Sequence, residues 1–146
     1  MPLPALDIST FQILHQDGGT SVFNGTIKFL KDYISPIKLH FYTEKHERGE
    51  WIAGGLSRFT MDMCPLLQVP HELWYPMTSK MSQKHCPYIA GHEEHFNMVN
   101  IGNIAAYFRV PESFVGDWKF YFEVTVLRKG LPAYECLMAP VTAVDV

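Results

Sequence analysis

The stretch Trp118–Val126, "WKFYFEVTV", constrains the fold more than any other part of the chain. Trp118, Phe120, Phe122, Val124 and Val126 alternate with Lys119, Tyr121, Glu123 and Thr125. A period of two sends the first set to one side of an extended backbone, so the segment is a strand with one apolar face and one mostly polar face. Such a strand needs neighbours along its edges and a cover over its apolar face. Other segments supply candidates. "IKLHFYTEK" alternates Ile37, Leu39 and Phe41 against Lys38, His40 and Tyr42, and "SVFNGTIKFL" does so through Phe23, Ile27 and Phe29, with Gly25 interrupting. Further strands are expected over Trp51–Met61, Ala105–Val110 and Tyr134–Val144.

Turn chemistry separates these runs. "QDGG", "KHERGE", "VPESFVGD" and "RKGLP" stand between them, and the second and fourth are short enough to close hairpins. Ten prolines and ten glycines spread along the chain argue against long helices. Only "PHELWYPMTSKMSQ" has room for a turn or two of helix, and Pro76 limits it. Short strands at fairly regular spacing define an all-β fold, an antiparallel two-sheet β-sandwich (immunoglobulin-like or cup-shaped). The 146 residues are expected to form a single domain, 1–146.

Charge and hydropathy narrow the function. The net charge is −3 and the twelve Lys and Arg are scattered, so no nucleic-acid partner is expected. No run of eighteen apolar residues suggests a membrane span. The opening "MPLPALDIST" lacks a charged segment followed by an apolar one, so the chain is either intracellular or secreted with its signal peptide removed. Asn24-Gly25-Thr26 is a glycosylation sequon, with Asn24 the acceptor if the chain is secreted.

The segment "HCPYIAGHEEHF" (His85–Phe96) carries the densest polar chemistry. Two histidines four apart on a helix, with an intervening glutamate, would make a zinc site. Here only two residues separate His92 from His95, and Gly91, Asn97 and Asn100 surround a stretch with no amphipathic extension. The expectation is a solvated charged loop with no metal. His85 beside Cys86 gives no nucleophile pair, since neighbours on a strand point to opposite faces. No nucleophile elbow, phosphate-binding loop or dinucleotide fingerprint occurs either, so neither catalysis nor a cofactor is expected. A structural role for Cys86 is better motivated. With Cys64 it brackets a Pro-rich excursion too irregular to lock itself by strand pairing, and a disulfide there would contribute about 3 kcal/mol. One of the three cysteines, Cys136, is left over.

The pattern "CPYIAG" followed by "VPESFVGDWKFYFEVTVLRKGLPAYECLMAPV" resembles the C-terminal half of the lysosomal ganglioside-activator family. Upstream, "FNGTIKFLKDYISPIKLHFYTEKHERGEWI" is similar to the insect branch of that group, which includes the chemosensory CheB proteins. Together they cover about Phe23 to Val141. The wider relatives are the ML (MD-2-related lipid-recognition) domains. The resemblance implies a secreted, non-enzymatic sandwich whose sheets part to hold lipid. It matches Cys86 to the family's Cys-Pro cysteine and Cys64 to its partner. Cys136 matches a final cysteine whose usual N-terminal partner this chain lacks, and ganglioside specificity does not carry over.

Simple physics runs parallel to the resemblance. Parting two sheets at one edge opens an internal apolar cavity, and each CH₂ that enters it gains about 0.8 kcal/mol. Candidate ligand-binding residues are Phe29, Leu39, Phe41, Trp74, Phe108, Trp118, Phe120, Phe122 and Val124. The excursion with Trp74, Tyr75, Met77 and Met81 is expected either as a mobile lip or as a satellite cluster folded onto the sheet. The leading expectation is a carrier of a lipid or other small hydrophobic ligand, with receptor or membrane-surface contact. The alternative is a protein-interaction or co-receptor module of the same fold.

Overall fold

Each long alternating segment within reach of the structure forms a strand. The structure, a computed structural model, describes residues 3–15, 20–102 and 116–143. Along the chain these form β1 (Leu6–Asp7), β2 (Gln12–His15), β3 (Ser21–Phe29), β4 (Ile37–Glu47), β5 (Glu50–Thr60), a 3-10 turn (Cys64–Leu66), α1 (Tyr75–Thr78), β6 (Glu93–Gly102), β7 (Gly116–Arg128) and β8 (Leu131–Ala143). All pairings are antiparallel, and they build two sheets. This is the all-β, two-sheet architecture that the alternation predicts. The strand expected over Ala105–Val110, with Phe108, lies outside the described residues.

The chain divides into two compact units. The first holds the sheet ordered β5-β4-β7-β8. β4 meets β7 without a register shift from Ile37↔Val126 to Lys45↔Trp118, and β7 meets β8 from Gly116↔Ala143 to Arg128↔Leu131. Residues directly opposite share a face. Ile37, Leu39 and Phe41 therefore lie on the same face as Trp118, Phe120, Phe122, Val124 and Val126. Both expected hairpins form, over Arg48-Gly49 and Lys129-Gly130. All four of these residues have positive φ, the conformation that matches the twist of two adjoining strands.

In the second unit β3 is central, with β6 along one edge and β1 and β2 in succession along the other. Phe23, Ile27, Phe29 and Phe96 are buried. The rings of Phe11, Phe23 and Phe96 meet edge-on at 5.2, 5.6 and 5.7 Å, and Phe29 stacks on Tyr88 at 4.9 Å. Cys64 and Cys86 are joined by a disulfide. The excursion between them also ties itself by side-chain bonds to its own backbone, as a chain without a ladder partner must. Trp74 Nε1 donates to the Leu66 carbonyl at 3.0 Å, and Thr78 Oγ1 to that of Leu67 at 2.6 Å. The Gln68 amide donates to the carbonyls of Thr78 and Lys84. Among the described residues, α-helix is confined to the single turn of α1, with Pro76 at its start. Trp74 and Met81 are buried, and Tyr75 and Met77 half-buried. The excursion is thus a small cluster with its own bonding rather than a set of exposed anchors.

One expectation fails. Glu93–Phe96 is not a solvated loop but the start of β6, with Glu94 and Phe96 buried beside β3. The alternation of a strand was concealed because one of its inward positions is a carboxylate.

Gly25 sits in β3 at a register shift with φ of 117°, where a Cβ would come within 2.1 Å of the Thr10 carbonyl oxygen and 2.7 Å of Phe11 Cα. The obstructing atoms are backbone and cannot rotate away. Gly25→Ala should therefore destabilise the protein by at least about 1–3 kcal/mol, read as a lower urea midpoint at an unchanged slope.

Candidate ligand-binding surface

The sheet of the first unit has two unlike faces, and strand parity decides which residues each receives. On the apolar face, Leu39 and Phe41 are buried, as are Trp118 and Val126 on β7. The Phe41 ring lies 5.0 Å from Phe122 and 5.5 Å from Phe120, and Trp118 meets Phe120 at 6.4 Å. Thr43, opposite Phe120, is buried with its hydroxyl donated to the Leu56 carbonyl at 2.9 Å. Between Trp118 and Val126, the side chains of Phe120, Phe122 and Val124 are only half-buried. This surface thus keeps three apolar groups partly open to solvent in the middle of an inner strand. Three charged groups border it. Arg128 Nη1 donates to Glu135 Oε2 at 3.0 Å, and Arg58 stands opposite Phe41 with a guanidinium bond to the Phe59 carbonyl.

The opposite face is an aromatic and acidic row that sequence reasoning took only as the polar side of each strand. Tyr42 and Tyr121 stack at 4.8 Å. Tyr42 donates to Glu123 Oε1 at 3.1 Å, His40 Nδ1 lies 3.3 Å from Glu123 Oε2, and Tyr121 donates to Glu44 Oε1 at 2.5 Å. Lys119 sits 4.2 Å from the centre of the Trp51 ring. The bond to Glu44, with burial second, pushes the Tyr121 hydroxyl up to about 12; burial and the bond to Glu123 also raise Tyr42. Both tyrosines are therefore held as protonated donors at neutral pH, the reverse of an activated phenolate. The signal for this face was present in the alternate letters His40, Tyr42, Tyr121 and Glu123. Their partners came from register alone.

In the second unit, the predicted residues Phe29 and Trp74 are both buried, Phe29 in the ring cluster with Tyr33 and Tyr88, Trp74 in the excursion. Asn24 lies within β3, where its Oδ1 accepts the Met98 N–H at 3.2 Å across the bulge in β6. A surface depression of about 220 Å³ is lined by Tyr75, Pro76, Ser79, Lys80, Asn100 and Ile101. Among the described residues, none of those predicted to bind a ligand lines it.

The buried carboxylate of Glu94, 1% exposed, is the chief polar feature of this unit. Its Oε1 accepts the Ser82 N–H at 2.6 Å and the Ser82 hydroxyl at 2.9 Å; its Oε2 accepts the Gln83 N–H at 3.1 Å and meets His92 Nε2 at 2.5 Å. His92 is thus a ring partner to a buried acid, packed against Phe29 and Tyr88, and not a free loop residue. His95, on the other side of β6, bonds Thr26 Oγ1 and pairs with Glu93. The two histidines do not converge.

The fold and its surfaces define an all-β, two-sheet protein with one disulfide and a partly open apolar sheet face. No protein-family model matches the chain, and no curated protein matches it.

Burial alone would raise the Glu94 pKa, but the bonds from His92, Ser82 and Gln83 outweigh it and hold the group below its ordinary 4.5. A carboxylate depressed in the folded state contributes stability at neutral pH that fades as the pH falls below 4.5 towards its folded value. Glu94→Gln should lower stability at pH 7 by at least about 1.5–3 kcal/mol, the worth of a charged hydrogen bond. It should also flatten the acid limb of the stability–pH curve, measured by urea unfolding at successive pH values.

Proposed function

We propose that this protein is a secreted, non-enzymatic carrier that holds a lipid or another small hydrophobic molecule against the apolar face of the β5-β4-β7-β8 sheet. One observation carries the reading: Phe120, Phe122 and Val124 stay half-buried although Leu39, Phe41, Trp118 and Val126, on the same face, are buried. Water in contact with apolar surface costs about 25 cal/mol per Å². An acyl chain laid along these rings would remove that cost and gain about 0.8 kcal/mol for each CH₂ it buries. Apolar and aromatic walls with a few charged groups at their border suit an amphiphile, with Arg58 and the Arg128–Glu135 pair nearest to any polar end.

The resemblance of "CPYIAG" and the β7–β8 sequence to the lipid-recognition family points the same way. The disulfide between Cys64 and Cys86 fits an oxidising compartment. Within that reading the ligand is a fatty acid, a phospholipid or a hydrophobic semiochemical, taken up and released without chemical change.

Lipid extraction and mass spectrometry of the purified protein should recover an acyl-bearing molecule in stoichiometric amount. Phe122→Ala, checked for native near-ultraviolet circular dichroism because truncating a core Phe can cost about 3–5 kcal/mol, should weaken binding of a fluorescent fatty acid about tenfold. A protein that extracts empty and binds no such probe is not a carrier.

A further inference from the structure

We propose that this protein self-associates through β8, an edge strand among the described residues, two copies pairing antiparallel about a two-fold axis at Cys136. Backbone directions alternate from strand to strand across the sheet, starting from Ile37. The Ile37 N–H donates to Asp62 Oδ1 at 3.0 Å and its carbonyl accepts the Met63 N–H at 2.8 Å, so its backbone groups point towards the β5 side. Successive residues of a strand alternate. Lys38, His40, Tyr42 and Glu44 therefore turn theirs towards β7, and their partners Thr125, Glu123, Tyr121 and Lys119 turn back towards β4. The remaining β7 residues, Trp118 to Val126 by twos, face β8 and are met by Val141, Ala139, Leu137, Glu135 and Ala133. The other set on β8 points away: Pro132, Tyr134, Cys136, Met138 and Pro140.

Both prolines of β8 fall in that outward set, where a missing N–H costs the β7 ladder nothing. They also bound a window. Between them, Tyr134, Cys136 and Met138 present their N–H and C=O groups from a strand that is an edge of its sheet among the described residues. The window is symmetric about Cys136. If a second copy pairs with Cys136 opposite Cys136, then Tyr134 lies opposite Met138 of the second copy, Met138 opposite its Tyr134, and each proline opposite a proline. The three pairs exchange six hydrogen bonds, and the prolines end the ladder on both sides. A register moved by two residues sets each proline against a residue inside the other copy's window, which leaves two fully bonded pairs in place of three.

The side chains agree. Leu131, Tyr134 and Met138 are 70%, 56% and 45% exposed. The pairing brings each Tyr134 ring beside a methionine thioether, a favourable contact. Glu135, the one charged residue of β8, falls opposite Leu137 of the second copy, so no like charges meet. Natural edge strands are guarded against pairing by charge and proline. Here the charge is buried beside Arg128, and the prolines frame the edge rather than interrupt it.

The test is sedimentation velocity of the whole chain over a wide concentration range, with cross-linking by a short bis-maleimide. Cys136 is the free cysteine. The proposal expects a reversible dimer, a Cys136–Cys136 linked peptide by mass spectrometry, and association weakened about tenfold or more by Tyr134→Pro or Met138→Pro with the near-ultraviolet spectrum retained. The cross-link, made on the unaltered chain, decides the matter if a proline variant fails to fold. A chain that stays monomeric throughout, a dimer indifferent to both prolines, or one whose Cys136 thiols are never linked would overturn it.

Discussion

The pairing of β7 along both of its edges is the constraint on which the larger sheet depends. Thirteen residues of β7 and thirteen of β8 meet without a register shift, and β4 meets β7 in the same unbroken way. Because opposite residues share a face, one strand's alternation is imposed on its neighbours. That is why Leu39 and Phe41 lie beside Phe120 and Phe122, and why Tyr42 stacks on Tyr121. A slip of one residue would exchange the faces and set Tyr121 and Glu123 among the apolar rings. The β4–β5 pairing tolerates an irregularity between Tyr42 and Glu44 because β5, among the described residues, is an edge of its sheet with less to keep aligned.

The second unit solves a different problem. Its excursion from Cys64 to Cys86 has no ladder, so its backbone groups need other partners. The disulfide fixes the two ends, and Glu94 receives the amides of Ser82 and Gln83 near the second end. Taking a carboxylate out of water costs several kcal/mol, which good geometry and further hydrogen bonds can offset. Glu94 meets both conditions with four partner atoms. The burial of Tyr88 itself, and after it the Glu94 charge, pushes the Tyr88 hydroxyl up to about 12. The acid, its histidine and the stacked rings of Phe29 and Tyr88 form one local network. It is structural in kind, because every donor around the carboxylate is already engaged.

The two surfaces of the larger sheet therefore suit different work. The apolar face is continuous, bordered by charge and partly open, which favours an apolar ligand. The other face is wet and internally bonded, with its tyrosines and carboxylates satisfying each other. The β8 edge belongs to neither face, since its chemistry is that of the backbone. The proposed carrier would use all three without conflict: one face for cargo, one for solvent and one edge for a second copy.

The sequence by itself determined what depends on neighbours in the chain. The alternation in "WKFYFEVTV" and "IKLHF" was sufficient for strands and their apolar sides, the residue pairs Arg48-Gly49 and Lys129-Gly130 for hairpins, and the bracketing of an irregular excursion for the disulfide. Tertiary structure decided what depends on distant partners. Glu94 could not be recognised as buried, because the amides that stabilise it come from Ser82 and Gln83, more than ten residues earlier. The short strands β1 and β2 escaped notice because two to four residues carry too little period to stand out, and they exist by pairing with β3. The half-buried state of Phe120, Phe122 and Val124 was also out of reach. Alternation says which way a side chain points, but the extent of its cover is set by atoms that the chain brings from elsewhere.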